Sequence, residues 1–449
     1  MKWSKYNYFY KSRLHNANLL YNSLTNSFVN IDNEELESAI NRIKGNINDF
    51  DFSTNLSFYN QLIKAKIITE SDEMEMLKIR HQVLMNRYSP FTLVLTILPT
   101  LDCNFKCPYC FEEDGNKSYM SEEVGSNILK YIQYNARNKN DVLINLCWMG
   151  GEPLLNFKII KSITRKIKAQ SNLLLNAHLV TNGYLLTKEK IKELKNLNIT
   201  RVQITLDGIA YEHNKTRIHK QKDKTFNKIF NNIKTFFSIY NCNEFVSLNI
   251  RINLNKNENY TKKFIELHTY LRDTFPFENL YITPGFIEDI NNIGNNVGCN
   301  FDRGLIKDFY LEISQKYGLK EYSSYPKNML TECAVRSGGI SVIGPNSEIY
   351  TCWENIGKNA KVIGQLDHNG QFEIKDENTY IKYKVGADYL NDPACIECFF
   401  FPICNGGCPE KRIRNVYEGS NFDCCILHKN NMEEILDNHY SFRLNLGTK

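Results

Sequence analysis

No run of about eighteen apolar residues occurs in the chain, so the sequence offers no membrane-spanning helix. The opening residues, Met1-Lys2-Trp3-Ser4-Lys5-Tyr6-Asn7, lead into no apolar signal core, which argues against secretion. No short-period repeat is present, which excludes a solenoid. Neither sign of charge dominates: 55 Lys and Arg stand against 50 Asp and Glu, for a net charge of +5. That mild excess is spread along the chain. It reads as a solvated surface rather than a nucleic-acid footprint, and gives at most a weak attraction for an acidic peptide.

What is present is length and cysteine. The 449 residues exceed what one core usually holds, so two or three domains are expected. Hydrophobic residues make up 42% and charged residues 23%, as in soluble globular proteins. The 14 cysteines, without a signal segment, point to metal binding in a reducing cytoplasm rather than to disulfides. Most of them lie at or beyond Cys333.

Between Phe91 and Phe286, strand-like apolar runs alternate with helical stretches. Strands are predicted over Phe91–Leu98, Val142–Trp148, Ala177–Thr181, Arg201–Leu206, Phe245–Ile252 and Leu280–Ile282. Helices are predicted over Ser121–Asn138, Phe157–Ala169, Lys188–Leu197, Thr225–Tyr240 and Tyr260–Arg272. Ser121 followed by Glu122 and Glu123 is a sound helix start. The alternation predicts a parallel α/β domain whose chemistry lies where strands end. Before it, Tyr8–Tyr10, Asn18–Tyr21 and Ser27–Asn30 read as short strands, and Glu34–Ile43 and Ser57–Ala65 as helices. Asn291–Gly298 reads as a linker or loop.

The first strand is followed by Cys103-Asn-Phe-Lys-Cys107-Pro-Tyr109-Cys110. Three thiolates in one loop can hold three corners of a 4Fe–4S cube and leave the fourth iron open to a small molecule. A structural zinc site would want four ligands, usually as two close pairs, and no second pair lies nearby. Trp148-Met149-Gly150-Gly151-Glu152-Pro153 follows the second strand: two glycines allow close backbone approach, and a glutamate can accept from an ammonium group. Thr181-Asn182-Gly183 and Leu206-Asp207-Gly208 end the third and fourth strands, as plain turns or as polar sites. Arg217 follows, a surface arginine or a carboxylate ligand. Asn253 on the fifth strand is a further pocket candidate. Near the C-terminus, Cys333 and Cys352 precede Cys395-x2-Cys398-x5-Cys404-x3-Cys408 and the pair Cys424-Cys425. Two zinc ions are the alternative to iron–sulfur clusters there. Cys147 reads as core and Cys242 as inert, while Cys299 is a possible extra ligand.

The triad with Tyr109, followed one strand later by Gly-Gly-Glu-Pro, resembles the radical S-adenosylmethionine (SAM) superfamily. The resemblance implies a partial (β/α)6 barrel, with SAM bound to the open iron and cleaved by a cluster electron to a 5′-deoxyadenosyl radical. Cys103, Cys107 and Cys110 would then be the catalytic ligands. Gly150, Gly151 and Glu152 would bind the methionyl amine, and Thr181, Asn182 and Asp207 would lie around the ribose and substrate. Arg217 would lie by the SAM carboxylate or active site.

The C-terminal cysteines resemble the SPASM domain, which carries auxiliary 4Fe–4S clusters. Ser347 stands where that pattern usually has glycine. The resemblance implies that Cys333, Cys352 and Cys408 hold one auxiliary cluster, and Cys395, Cys398, Cys404 and a terminal cysteine the other. Cys425 is the better terminal choice, because Cys425-Ile426-Leu427-His428-Lys429 resembles the ending of related maturases; Cys424 is the alternative. The first auxiliary cluster has three evident ligands. Lys327 stands where some members carry an extra cysteine, so its fourth site is open or taken by Cys299.

Four regions follow: 1–88, resembling winged-helix peptide-recognition domains or else a plain extension; 89–290, the barrel; 291–330, a bridging region; and 331–449, the SPASM domain. The implied function is maturation of a ribosomally made precursor peptide with a leader. Hydrogen abstraction would be followed by thioether closure, with three 4Fe–4S clusters, SAM and an external reductant such as flavodoxin or ferredoxin. Alternatives are carbon–carbon or ether cross-linking, sulfatase-type formylglycine formation, and a non-catalytic peptide-binding or electron-transfer protein.

Overall fold

The computed structural model describes residues 1–54, 56–112, 117–221, 224–240, 246–256, 258–288, 301–329 and 332–445. The linker expected at Asn291–Gly298 lies outside them, as do Cys242 and Cys299. The chain forms two compact units that do not follow chain order. One comprises Met1–Tyr88, Asp302–Arg336 and Lys382–Lys449; the other comprises Ser89–Phe301 and Ser337–Ile381.

The first unit opens with an antiparallel sheet of β1 (Asn7–Ser12), β2 (Ala17–Asn22) and β3 (Ser27–Ile31), with β2 in the middle. Helices α1 (Glu34–Gly45), α2 (Leu56–Lys64) and α3 (Asp72–Arg87) follow. Asn33 caps α1 by accepting from the backbone N–H groups of Glu35 and Leu36, and Glu34, Glu35 and Glu37 complement the helix dipole. Leu20, Ile31, Ile40, Ile43 and Leu62 form one small core of this unit. The sequence pattern does not reveal α3. Its polarity is inverted at several positions: Glu75 and Arg87 are buried, while Leu77 and Met85 face solvent. Arg87 is held inside by Glu332 at 2.6 Å and Asp388 at 2.6 Å, so its charge is paired.

The second unit is built on a ten-stranded sheet. Six of its parallel strands are β4 (Thr92–Ile97), β5 (Val142–Trp148), β6 (Leu173–Thr181), β7 (Ile199–Leu206), β8 (Ser247–Leu254) and β9 (Leu280–Phe286), side by side in chain order. Helices α4 (Glu122–Ala136), α5 (Phe157–Lys168), α6 (Lys188–Asn196), α7 (Ala210–Thr216), α8 (Phe226–Ile239) and α9 (Tyr260–Thr274) lie between them in sequence. This is the expected α/β fold with six parallel strands. β6 begins four residues earlier than predicted, and its pairing with β7 shifts register between Ala177 and His178. β9 runs on through Pro284, which is tolerated because β9 is the edge strand.

The parallel strands alternate. Ile144, Leu146 and Trp148 of β5, Val202, Ile204 and Leu206 of β7, and Leu248, Ile250 and Ile252 of β8 are buried. Each such side chain contributes about 1.5–3 kcal/mol of transfer free energy. The intervening positions Asn145, His178, Gln203, Thr205, Asn249 and Arg251 are only partly covered. Parallel sheets covered on both faces read as continuous apolar runs, so this alternation marks one face as polar. Beyond β4 the sheet continues through β10 (Val342–Ile343), parallel to β4, and then antiparallel through β11 (Glu348–Tyr350), β12 (Gly364–Leu366) and β13 (Phe372–Ile374).

Between β9 and β10 the chain passes through the first unit. There α10 (Arg303–Gln315), which occupies part of the expected bridging region, starts at Asp302, whose carboxylate accepts from Leu305 N–H at 2.9 Å. The last helices are α11 (Pro409–Tyr417) and α12 (Met432–Asn445). Within this unit, Leu436 and Tyr440 of α12 join Tyr10, Leu19 and Tyr21 of the small sheet in one apolar cluster.

Candidate active site

The loop after β4 carries Cys103, Cys107 and Cys110, all with free thiols. Cys103 N–H donates to Asp102 Oδ1 at 2.9 Å, Phe105 N–H donates to Cys103 Sγ at 3.4 Å, and a turn joins Cys110 N–H to the Cys107 carbonyl at 3.2 Å. A strap braces the loop: Lys106 N–H donates to the Ile218 carbonyl at 2.9 Å and Lys220 N–H to the Asn104 carbonyl at 2.8 Å. Phe105 is buried edge-on against Tyr184 and His219. Burial pushes the Cys103 and Cys110 thiols up to about 12, and each thiol's neighbours in the triad add to the cost of ionisation. Three thiols that resist ionising alone, on one braced loop, fit a soft iron centre that would hold them as thiolates.

The glycine-rich turn after β5 lies directly on this loop. Gly151 N–H donates to the Thr100 carbonyl at 3.2 Å and Glu152 N–H to the Asp102 carbonyl at 2.9 Å. A Cβ at Gly150 would stand 2.4 Å from the Thr100 oxygen, and one at Gly151 would stand 2.3 Å from the Asp102 oxygen. The glycines are therefore required by the approach of the two loops. Glu152 is fully buried. Its Oε1 accepts from Leu154 N–H at 3.0 Å and the Thr181 hydroxyl at 2.7 Å, and its Oε2 from Asn182 N–H at 2.8 Å. Burial pushes its pKa up, while these donors oppose the shift. Asn182 Nδ2 reaches back to Asn104 Oδ1 at 2.7 Å. The ends of β5 and β6 and the cysteine loop are thus one network.

A second network joins Tyr109 to the end of β7. Asp207 Oδ2 accepts from the Tyr109 hydroxyl at 2.5 Å and the Thr216 hydroxyl at 2.6 Å, and Arg217 Nη1 donates to the Tyr109 oxygen at 3.0 Å. Burial opposes the Arg217 charge, but Tyr109, Cys107 and Asp207 together hold its pKa above the usual value. Among the described residues, Asp207 Oδ1 and Arg217 Nε are buried without hydrogen-bond partners. An orphaned acceptor and an orphaned donor beside the cysteine loop fit a polar ligand. Asn253 instead accepts from Arg251 Nε at 3.2 Å. Sequence reasoning did not single out Tyr184 or His219, nor the part played by Asn104 and Phe105 in meeting such partners, because no spacing rule links a cysteine loop to residues so far along the chain.

In the first unit, a cavity of about 160 Å³ is lined by Cys395, Cys398, Cys404, Cys424 and Cys425, with Arg412 and Lys429 at its wall. The expected ligands of one auxiliary cluster therefore share a cavity, and both candidates for the last ligand line it. Cys333 and Cys408 belong to the same unit, and Cys408 adds to the burial that pushes the Cys333 thiol up. Cys352 follows β11 in the second unit. Ser347, at the β10–β11 turn, has φ +68, so serine takes up the left-handed conformation that glycine favours. Among the described residues no three His, Cys, Asp or Glu side chains gather as ligands of a single ion. The thiolates of a cubane bind separate irons.

Residues 97–276 match the Radical SAM superfamily model. The chain is 24% identical to the radical SAM cyclopropyl synthase TigE of Paramaledivibacter caminithermalis over 441 residues, 91% of this chain and 84% of that protein. It is 26% identical to a cysteine-type anaerobic sulfatase-maturating enzyme of Clostridium novyi over 344 residues, 71% of this chain and 88% of the relative. Among solved structures, anSMEcpe with bound AdoMet and the Cp18Cys peptide superposes with a TM-score of 0.56 at 17% identity, covering 79% of this chain and 99% of that one. Streptococcus suis SuiB bound to its precursor peptide SuiA superposes with a TM-score of 0.51 at 14% identity, covering 91% and 95%. At these identities the structural likeness speaks for the fold. Residues 97–276 are a radical SAM domain, and the predicted site residues from Cys103 to Arg217 all fall within it. The superfamily implies a 4Fe–4S cluster and SAM.

Proposed function

We propose that the chain matures a ribosomally made precursor peptide, abstracting hydrogen from an unactivated carbon and closing a cysteine sulfur of the same peptide onto it as a thioether. The observation that carries the reading is the presence, in one chain, of a braced three-thiol loop in a radical SAM domain and a separate cavity lined by five cysteines. When bound, SAM and the clusters supply the hydrogen-abstracting radical and accept the surplus electron.

The chain's own residues hold and orient. Cys103, Cys107 and Cys110 would be ligands of the first cluster. Gly150 to Glu152 fix the turn that would face SAM, and Asp207 Oδ1 and Arg217 Nε are available to a polar ligand. Cys395, Cys398, Cys404 and Cys425 would hold one auxiliary cluster. The other set, Cys333, Cys352 and Cys408, rests on sequence spacing. The sheet and helices of residues 1–88 would take the leader, and flavodoxin or ferredoxin in the cytoplasm would supply electrons.

A second reading keeps the radical step but closes a carbon–carbon bond. The likeness to a cyclopropyl synthase over 91% of the chain favours it. The test is anaerobic turnover of a cysteine-containing precursor encoded beside this chain. Thioether closure removes two hydrogens and one alkylatable thiol per turnover. Loss of two hydrogens with every thiol still alkylatable supports the carbon–carbon reading. SAM cleavage that leaves the peptide mass unchanged contradicts both.

A further inference from the structure

The five-cysteine cavity contains two cations aimed at sulfur. Arg412 is fixed by two other acceptors: its Nε donates to the Ala387 carbonyl at 2.9 Å and its Nη2 to Asp392 Oδ2 at 2.7 Å. This leaves Nη1 directed at Cys395 Sγ, 3.5 Å away. From the other side, Lys429 Nζ donates to Cys425 Sγ at 3.3 Å. The hydrogen bonds of the Cys424 sulfur are to neutral groups, Asn415 Nδ2 at 3.6 Å and the Phe422 carbonyl at 3.6 Å, while Arg412 and Lys411 act on it at longer range. Both cations line the cavity, whose remaining wall is largely apolar with Phe400, Phe401 and Ile426.

We propose that Arg412 and Lys429 are positioning residues that set the reduction potential of the cluster held by Cys395, Cys398, Cys404 and Cys425, raising it so that the cluster serves as an electron acceptor. The inference rests on the proposed auxiliary cluster. A cluster that takes up one electron gains one negative charge. Charge-assisted hydrogen bonds from cations to its sulfurs stabilise that reduced form more than the oxidised one. The cavity is partly apolar, so the interaction is screened less than it would be in water. Asp392, whose Oδ2 also accepts from the Cys395 thiol at 3.5 Å, balances part of the Arg412 charge, which makes Lys429 the larger lever.

The test uses the full chain carrying Cys103→Ala, Cys107→Ala and Cys110→Ala, reconstituted anaerobically, so that only C-terminal clusters titrate. Iron content and an EPR-monitored redox titration are measured. Lys429→Met is expected to retain iron and to lower one midpoint, cutting the reduced fraction at fixed potential roughly tenfold, which is about 59 mV for one electron. Arg412→Met should lower the same midpoint by less, and Lys429→Arg should restore it. Iron-replete Lys429→Met and Arg412→Met proteins with parental midpoints overturn the inference. A parent protein that binds no iron at these cysteines overturns the auxiliary-cluster reading itself, and the inference with it.

Discussion

Glu152 has a buried carboxylate whose three hydrogen bonds all go to its own chain. Its first task is therefore to tie the ends of β5 and β6 together, and any contact with SAM depends on that tie. Glu152→Ala should weaken SAM binding and also cost about 1–3 kcal/mol, because buried donors are left unpaired. Cluster iron should be retained, since no iron ligand is touched. Equal SAM affinity in that variant, measured by equilibrium dialysis, would remove Glu152 from the cofactor site. Gly150 has φ +133 and no room for a Cβ. Gly150→Ala should displace Thr100 and with it the cysteine loop; on the proposed three-cluster reading, about four of about twelve irons are lost. Ser347 presents the opposite case. With φ +68 it holds a conformation better suited to glycine, so Ser347→Gly should raise stability by up to about 1 kcal/mol, read as a higher urea midpoint at unchanged slope.

At the scale of elements, the strands and helices of the sheet were legible because alternation and caps agreed. Ser121 does cap α4, accepting from Val124 N–H, and the predicted helices from Phe157 to Tyr260 begin within one residue of their observed starts. Helix α3 was not legible, because its buried Glu75 and Arg87 and exposed Leu77 and Met85 break the stripe on which a sequence reading depends. The docking of α12 was equally hidden. It brings His439 onto Tyr325, with ring centroids 4.0 Å apart, and against Phe28 at 5.7 Å. Burial, with help from Arg443, lowers the His439 pKa to about 4. The folded pKa lies below the unfolded one, so the stabilisation is complete above pH of about 6.5 and is lost as pH falls toward about 4. The loss should be roughly 1–3 kcal/mol after allowing for partial exposure. His439→Phe should flatten this acid limb of the stability profile. A limb unchanged in that variant would assign the acid sensitivity elsewhere.

For the whole molecule, the motif-bearing turns were more legible than the division into two units. Cysteine spacing and the Gly-Gly-Glu-Pro turn are short-range patterns, and the structure places that turn on the cysteine loop. The two units interleave distant segments, joining residues 1–88 to Lys382–Lys449, and no local pattern announces such a pairing. The strap over Phe105 was hidden for the same reason. Among the described residues no helix is long and apolar enough to cross a membrane, in line with the lack of long apolar runs.

The most direct test of the central claim uses a precursor peptide deuterated at its α and side-chain carbons, incubated anaerobically with SAM, reductant and the iron-replete protein. Hydrogen abstraction from peptide carbon predicts one deuterium in the 5′-deoxyadenosine formed, in proportion to modified peptide. Modified peptide accompanied only by unlabelled 5′-deoxyadenosine would contradict it.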